Sequence, residues 1–235
     1  MLVTGGSRGI GRAICLAFAQ EGWRVGIHYR ERREEAELTC AAVVSSGGEG
    51  ALFQADIRSA EQVRTMIRAF LDRWDRLDVV VCNAGQAVSG LLIRHDPEQW
   101  RQVIETNLTG TFHCLQAAAA PMLRRRDGSI IVVGSYAADC GGTGQAAYAA
   151  SKAGLLGLVR TAAREWGRSN IRLNIVYPGW HQTELVGSAM PDAAHLDDHL
   201  LGRSPRLEEV ARTVVHLALR QDVSGQIWNL DSRPV

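Results

Sequence analysis

Tyr148 and Lys152 stand four residues apart in the run Tyr148-Ala149-Ala150-Ser151-Lys152. On a helix that spacing puts both side chains on one face, one turn apart. A free phenol has a pKa of about 10 and is a poor base at neutral pH. A neighbouring ammonium stabilises the phenolate and lowers that value. Such a pair can give a proton to a carbonyl oxygen as hydride arrives, or take one from an alcohol. Taken alone the pair carries little weight, because Tyr-x-x-x-Lys is common on exposed helices.

A second motif lies near the start of the chain. Thr4-Gly5-Gly6-Ser7-Arg8-Gly9-Ile10-Gly11 follows a short apolar run and precedes an amphipathic stretch. A pyrophosphate needs close backbone approach, N–H donors and the positive end of a helix. Gly5 permits the turn, Gly9 removes a side chain where phosphates would sit, and Gly11 lets helix and strand pack closely. A purely structural turn is the plainer reading of a glycine cluster. Its place between strand and helix favours dinucleotide binding. The second strand ends His28-Tyr29-Arg30, with no carboxylate to accept hydrogen bonds from an adenosine ribose. Arg8 and Arg30 are placed to clamp a 2′-phosphate instead, which favours NADP(H) over NAD(H). Solvated surface charge is the alternative for both.

These residues need elements to hold them. Strands are expected near Met1–Thr4, Arg24–Tyr29, Gly50–Asp56, Asp78–Asn83, Ser129–Gly134, Arg172–Tyr177 and Gln226–Leu230. Runs such as Ile130-Ile131-Val132-Val133 suit strands buried on both faces. Between them come helical patterns. Ile10, Ile14, Ala17 and Phe18 share a face, and Gly22 follows where a left-handed cap is wanted. Ser59 with Gln62 reads as a capping box, and Asp96-Pro97 as an N-cap and first turn. Further helices are expected at Thr109–Arg126, Tyr148–Gly167 and Leu207–Leu219. The alternation predicts an α/β fold: a single domain over 1–235, doubly wound around a parallel sheet, with its ligand at the carboxyl ends of the strands. The irregular stretch 178–205 is long enough to be a functional loop.

Composition narrows the function classes. A net charge of +1 in 235 residues gives no sign of a nucleic-acid binder. No run of about 18 apolar residues occurs, so no membrane span is expected. Met1-Leu2-Val3-Thr4-Gly5 has no charged leader, so no signal peptide is expected. The five cysteines are odd in number and scattered, without C-x-x-C spacing. Reduced, mostly buried thiols in a cytoplasmic protein are the better reading.

With the turn at Gly5–Gly11 and the Tyr148/Lys152 pair come Asn83-Ala84-Gly85, Asn107, Ser135 and Pro178-Gly179, in this order. This set resembles the short-chain dehydrogenase/reductase family over nearly the whole chain. The resemblance implies a Rossmann-type fold and a catalytic tetrad of Asn107, Ser135, Tyr148 and Lys152. Ser135 would steer the substrate oxygen toward Tyr148, the acid in reduction and base in oxidation. Lys152 would bind the nicotinamide ribose, Tyr148 would also count among the cofactor-binding residues, and Asn107 would hold a proton-relaying water. Gly5, Ser7, Arg8, Gly9, Ile10, Gly11, Tyr29 and Arg30 would hold the phosphates and adenosine, with Asp56 and Ile57 around the adenine. Asn83, Ala84, Gly85 and Thr106 would follow, and Pro178, Gly179, His181 and Thr183 would border the nicotinamide.

Within the family, Gly144–Lys152, Val25–Arg30 and Ile171–Gly179 are similar to 3-oxoacyl-[acyl-carrier-protein] reductases. That likeness implies NADPH-dependent reduction of a 3-oxoacyl thioester on acyl-carrier protein or CoA, and a role in fatty acid biosynthesis. It also implies a homotetramer or dimer through the helices at 109–126 and 148–167. Arg126, with Arg168 beside Ser169, would serve to dock an acidic carrier, although cations near a helix C-terminus explain them equally well. Two departures stand out. The C-terminus reads Asp231-Ser232-Arg233-Pro234-Val235 without the usual paired glycines, and the loop after Pro178 carries Trp180, His181 and Met190. An alcohol or sugar dehydrogenase of the same fold, and a non-catalytic NADP-binding regulator, remain alternatives. His195 and His199 with nearby aspartates could suggest a metal, but no third strong ligand is placed, and no metal is expected. Trp180 is expected near substrate, and Cys140 could line the pocket.

Overall fold

The computed structural model describes residues 1–181 and 198–233. Seven strands form where they are expected, within one or two residues at each end: β1 Leu2–Val3, β2 Arg24–Tyr29, β3 Glu49–Gln54, β4 Val79–Cys82, β5 Gly128–Val133, β6 Ile171–Tyr177 and β7 Ile227–Asn229. They pair in parallel, in the order β3-β2-β1-β4-β5-β6-β7. The order reverses between β1 and β4. A doubly wound sheet opens its ligand crevice at that point, beyond the carboxyl ends of the strands.

Eight α-helices are described: α1 Gly9–Gln20, α2 Arg33–Ser45, α3 Ala60–Trp74, α4 Pro97–Ile104, α5 Gly110–Arg125, α6 Ala137–Cys140, α7 Ala146–Trp166 and α8 Leu207–Ala218. The two-residue period of the strands divides the core between the two faces of the sheet. Val80, Ile130, Val132, Leu173 and Ile175 pack with Phe70, Leu115, Met122 and Leu155 from α3, α5 and α7. Val79, Val81, Ile131, Val133 and Val176 pack with Ile14, Phe18, Val43 and Val214 from α1, α2 and α8. Burying each such large side chain contributes about 1.5–3 kcal/mol.

Local signals set several helix ends. Gly22 takes φ +74° just past α1, as a left-handed cap requires. Asp96 Oδ1 accepts from Glu98 N at 2.9 Å, with Pro97 in the first turn of α4. The capping box at α3 forms only by half. Ser59 Oγ accepts from Gln62 N at 3.3 Å, but the Gln62 side chain accepts from Asp56 N at 2.8 Å instead of returning to Ser59. That amide would otherwise be left open by the turn out of β3. Inside β6, buried Asn174 donates to Val223 O at 2.8 Å and accepts from Gln226 N at 3.1 Å. It ties the last loop to the sheet and so places β7.

Candidate active site

The turn after β1 is held from below by a histidine. His28, buried near the end of β2, accepts from Gly5 N at Nδ1 (3.0 Å), and its Nε2 donates to Ala55 O (2.9 Å). Both partners require the neutral ring, because one is an N–H and the other a carbonyl. Burial lowers the His28 pKa from 6.5 to about 4, against the opposing pull of Ala55 O and Asp56. Gly5 and Gly9 take φ +64° and +52°. A Cβ on Gly11 would lie 2.2 Å from Gly5 O and 2.5 Å from Asn83 Nδ2. Gly11 therefore packs the helix against the turn and lines no cavity. Asn83 donates to Thr4 O and Gly5 O, and Thr4 Oγ1 accepts from Asn83 N and Ala84 N. The turn after β1 and the turn after β4 are thus one hydrogen-bonded unit.

Above that unit lies a cavity of about 380 Å³. It is lined by Gly5, Ser7, Arg8, Gly9, Ile10, Tyr29, Arg30, Asp56, Ile57, Asn83, Ala84, Gly85 and Thr106, all of them in the expected cofactor set. The opening N–H groups of α1 have no acceptor within the helix, and the cavity meets them at Gly9 and Ile10. Glycine backbone, open amides and a helix N-terminus fit a dinucleotide pyrophosphate. At the far end Arg32 and Glu31 join Arg8 and Arg30. Arg30 pairs with Glu31 at 2.8 Å, and Arg32 with Glu35 at 2.9 Å. Burial lowers the Arg8 pKa first, and the like charge of Arg32 lowers it further. The Asp56 carboxylate is engaged by the Arg58 guanidinium.

A second cavity, about 150 Å³, shares Ile10, Asn83, Gly85 and Ala87 with the first. Ser135, Tyr148, Lys152, Pro178, Gly179, Trp180 and His181 line it. Ser135 follows β5, and Tyr148 and Lys152 ride the first two turns of α7, which begins two residues before the expected start. Ser135 Oγ accepts from Ala137 N at 3.2 Å and is hydrogen-bonded to the Tyr148 hydroxyl. Lys152 is buried and donates to Val133 O at 2.8 Å, leaving two N–H donors. Burial lowers its pKa to about 8, with Cys82 opposing. The ammonium lies 5.7 Å from the centre of the Tyr148 ring.

The surroundings of Tyr148 reverse the expected lowering of its pKa. Tyr148 has its pKa raised, not lowered. Burial of the phenol is the larger effect, and the Ser135 hydrogen bond only partly offsets it. Taking an anion out of water costs more than this hydrogen bond returns. The phenol is therefore held in its protonated form at neutral pH.

Asn107 lies outside both cavity walls. It sits in a π-helical turn, Glu105–Thr109, between α4 and α5. Its Nδ2 donates to Gln86 O (2.9 Å) and Ser151 Oγ (3.0 Å), and its Oδ1 accepts from Gln86 N (2.8 Å). Ser151 Oγ in turn donates to Tyr148 O at 2.7 Å. The amide clamps the Gln86 backbone to the start of α7, with one lone pair on Oδ1 left over.

The structure brings together all the described residues expected at the site except Gly11 and Asn107, which lie behind it. Thr183 falls outside the described residues, as do His195 and Met190. Cys140 is exposed on α6 and does not line the cavity. Among the described residues no group of three His, Cys, Asp or Glu side chains is placed to hold a metal. No described helix is long and apolar enough to cross a membrane. His28, Ser151, Arg32 and Arg233 were not legible as site residues. His28 left a signal as a polar residue inside an apolar parallel strand, and Arg233 as part of the departure at the C-terminus.

The family model for short chain dehydrogenases matches residues 1–194. A 3-oxoacyl-[acyl-carrier-protein] reductase from Synechocystis is 38% identical over 233 residues, covering 98% of this chain and 94% of that protein. One from Staphylococcus aureus is 39% identical over 222 residues, covering 92% and 89%. A solved structure from Sinorhizobium meliloti, described as a short-chain alcohol dehydrogenase, superposes with a TM-score of 0.93 at 30% identity, over 98% of this chain and 94% of that one. The likeness spans the residues that line both cavities. The chain belongs to the short-chain dehydrogenase family, and it is an oxidoreductase that works with a nicotinamide dinucleotide.

Proposed function

We propose that this protein reduces a carbonyl to an alcohol with NADPH, and that its substrate is a 3-oxoacyl thioester. The observation that carries the reading is the convergence of Ser135, Tyr148 and Lys152 on the second cavity, which adjoins the first through Ile10, Asn83, Gly85 and Ala87. A reduced nicotinamide, when bound, supplies the hydride. Ser135 and Tyr148 both offer hydrogen bonds to the carbonyl oxygen, where negative charge develops. Tyr148 then gives its proton to that oxygen. Lys152, ammonium at neutral pH with two free donors, stabilises the phenolate left behind and has donors for the ribose hydroxyls. Asn107 fixes the start of α7 and so the aim of both groups. Its remaining lone pair is the place for a water that returns the proton from solvent. A phenol held protonated suits reduction better than alcohol oxidation, which starts from the phenolate.

NADP(H) preference rests on Arg8, Arg30 and Arg32 around the adenosine end. Like charges that lower the Arg8 pKa are relieved by a bound phosphate. Glu31, the acidic residue nearest the end of β2, is already paired with Arg30. The thioester reading rests on the named activity of the bacterial relatives. It is also supported by Arg126, whose guanidinium donates to Arg168 O at 2.8 Å. That bond gathers the two basic residues on one surface, suited to an acidic carrier protein. A homo-oligomer, tetramer or dimer, is consistent with exposed Phe112 and Leu123 on α5. The expected setting is the cytoplasm, where thiols stay reduced.

A carbonyl panel with NADPH and NADH tests the reading. Acetoacetyl-CoA should be the best substrate and NADPH the better donor. Turnover of alcohols with NAD⁺ and none of acetoacetyl-CoA would refute it.

A further inference from the structure

The altered C-terminus puts a cation into the substrate cavity. Arg233 lines that cavity together with Ser135, Tyr148, Tyr136 and Trp180. Its guanidinium is held along one edge by Asp231. Nε donates to Asp231 Oδ1 at 2.9 Å and Nη2 to Oδ2. The Asp231 carboxylate is itself buried, with His199 Nδ1 3.6 Å away. The plane of the guanidinium is flanked by rings: Cζ lies 4.2 Å from the centre of Tyr136 and 5.8 Å from that of Trp180.

An arginine on a surface tail gains little from being ordered, since it loses rotamer freedom. This one is braced by a bidentate carboxylate and two aromatic rings, and it keeps 19% of its side chain accessible. A guanidinium has five N–H donors in a fixed fork. Asp231 takes the Nε and Nη2 edge. Asp231 leaves Nη1, with its two N–H donors, without an acceptor among the described residues. The Asp231 partner leaves the ion pair neutral overall. It is therefore suited to a neutral carbonyl oxygen and does not require an anion.

We infer that Arg233 is a specificity-determining residue, which hydrogen-bonds a second carbonyl oxygen of the substrate while Ser135 and Tyr148 hold the one being reduced. This rests on the reductase reading and assigns a protein partner to the second oxygen of a 1,3-dicarbonyl compound, in a thioester the C1 carbonyl, so that both oxygens are gripped at once. Two-point attachment fixes which face and which carbonyl meets the proton donor.

The test compares ethyl acetoacetate with 2-heptanone, which has the same seven-atom chain with methylenes in place of the ester carbonyl and the ester oxygen. Acetoacetyl-CoA is run alongside, with the full chain and saturating NADPH. Arg233→Met keeps the aliphatic stem against Tyr136, and Arg233→Lys keeps the charge without the fork. A hydrogen bond to a charged group contributes about 1.5–3 kcal/mol. The kcat/KM ratio of ethyl acetoacetate over 2-heptanone should therefore fall about 10- to 100-fold in both variants. Loss of kcat/KM by the same factor for both substrates would show that Arg233 only braces the cavity, and an unchanged ratio would show no contact; either overturns the inference, as does a wild type inactive on all three. If ethyl acetoacetate depends on Arg233 but acetoacetyl-CoA is not reduced, the thioester reading fails and the inference stands. If acetoacetyl-CoA is reduced equally well by wild type and variants, the reverse holds.

Discussion

Acid should loosen this protein through His28. The ring is neutral in the fold because it accepts from Gly5 N and donates to Ala55 O. In the unfolded chain it titrates near 6.5; in the fold burial lowers that to about 4. A histidine with a depressed folded pKa contributes its stability in full above the unfolded value. That contribution is lost as pH falls from about 6.5 to about 4, because the unfolded state takes the proton first. A shift of about 2.5 units at 1.36 kcal/mol each gives about 3 kcal/mol for the whole window. About 2 kcal/mol of it should be gone by pH 5. His181, also lowered by burial, contributes in the same direction. The assay is therefore a comparison. Urea unfolding is followed at pH 7.5 and pH 5 for wild type and His28→Gln, which keeps a donor and an acceptor but does not titrate. Wild type should lose about 2 kcal/mol more than the variant over this interval. Equal losses in the two proteins would refute the reasoning, and so would a wild type whose stability is flat across the window.

Two further outcomes follow from the cofactor cavity. Gly11→Ala places a methyl group 2.2 Å from Gly5 O, so the turn must move. Overpacking of this kind costs about 1–3 kcal/mol. NADPH affinity should fall at least tenfold with a lower Tm, and unchanged binding and Tm would contradict the packing argument. Arg30→Asp should reduce the NADPH-over-NADH preference in kcat/KM about 10- to 100-fold, the value of one or two charge-assisted hydrogen bonds. A ratio that does not move would remove Arg30 from phosphate recognition.

The seven strands were legible because parallel strands covered on both faces read as continuous apolar runs, as at Ile130–Val133. Ser135, Tyr148 and Lys152 could be placed together from the sequence because one follows a strand end and the other two share a helix face, where order in the sequence fixes position in space. The function of His28 was hidden, because its two partners are backbone atoms of other loops. The π turn at Glu105–Thr109 left no mark either, since its residues look helical. Side-chain spacing placed Lys152 beside Tyr148 but gave the wrong sign for the phenol. Desolvation depends on everything packed around a group, and a four-residue interval does not contain that. Arg233 appeared only as a departure at the C-terminus. Its entry into the substrate cavity depends on β7, which Asn174 places and whose carboxyl end leads into the tail.

The central claim is that Tyr148 is the proton donor and plays no necessary part in cofactor binding. Tyr148→Phe removes one oxygen and preserves the ring. Single-turnover reduction of acetoacetyl-CoA should slow by at least 10²- to 10⁴-fold, the usual contribution of a general acid. NADPH affinity, read from fluorescence titration, should stay within about threefold, less than the value of one ordinary hydrogen bond. A variant that still turns over near the wild-type rate, or one that loses binding and turnover by the same factor, would contradict the account.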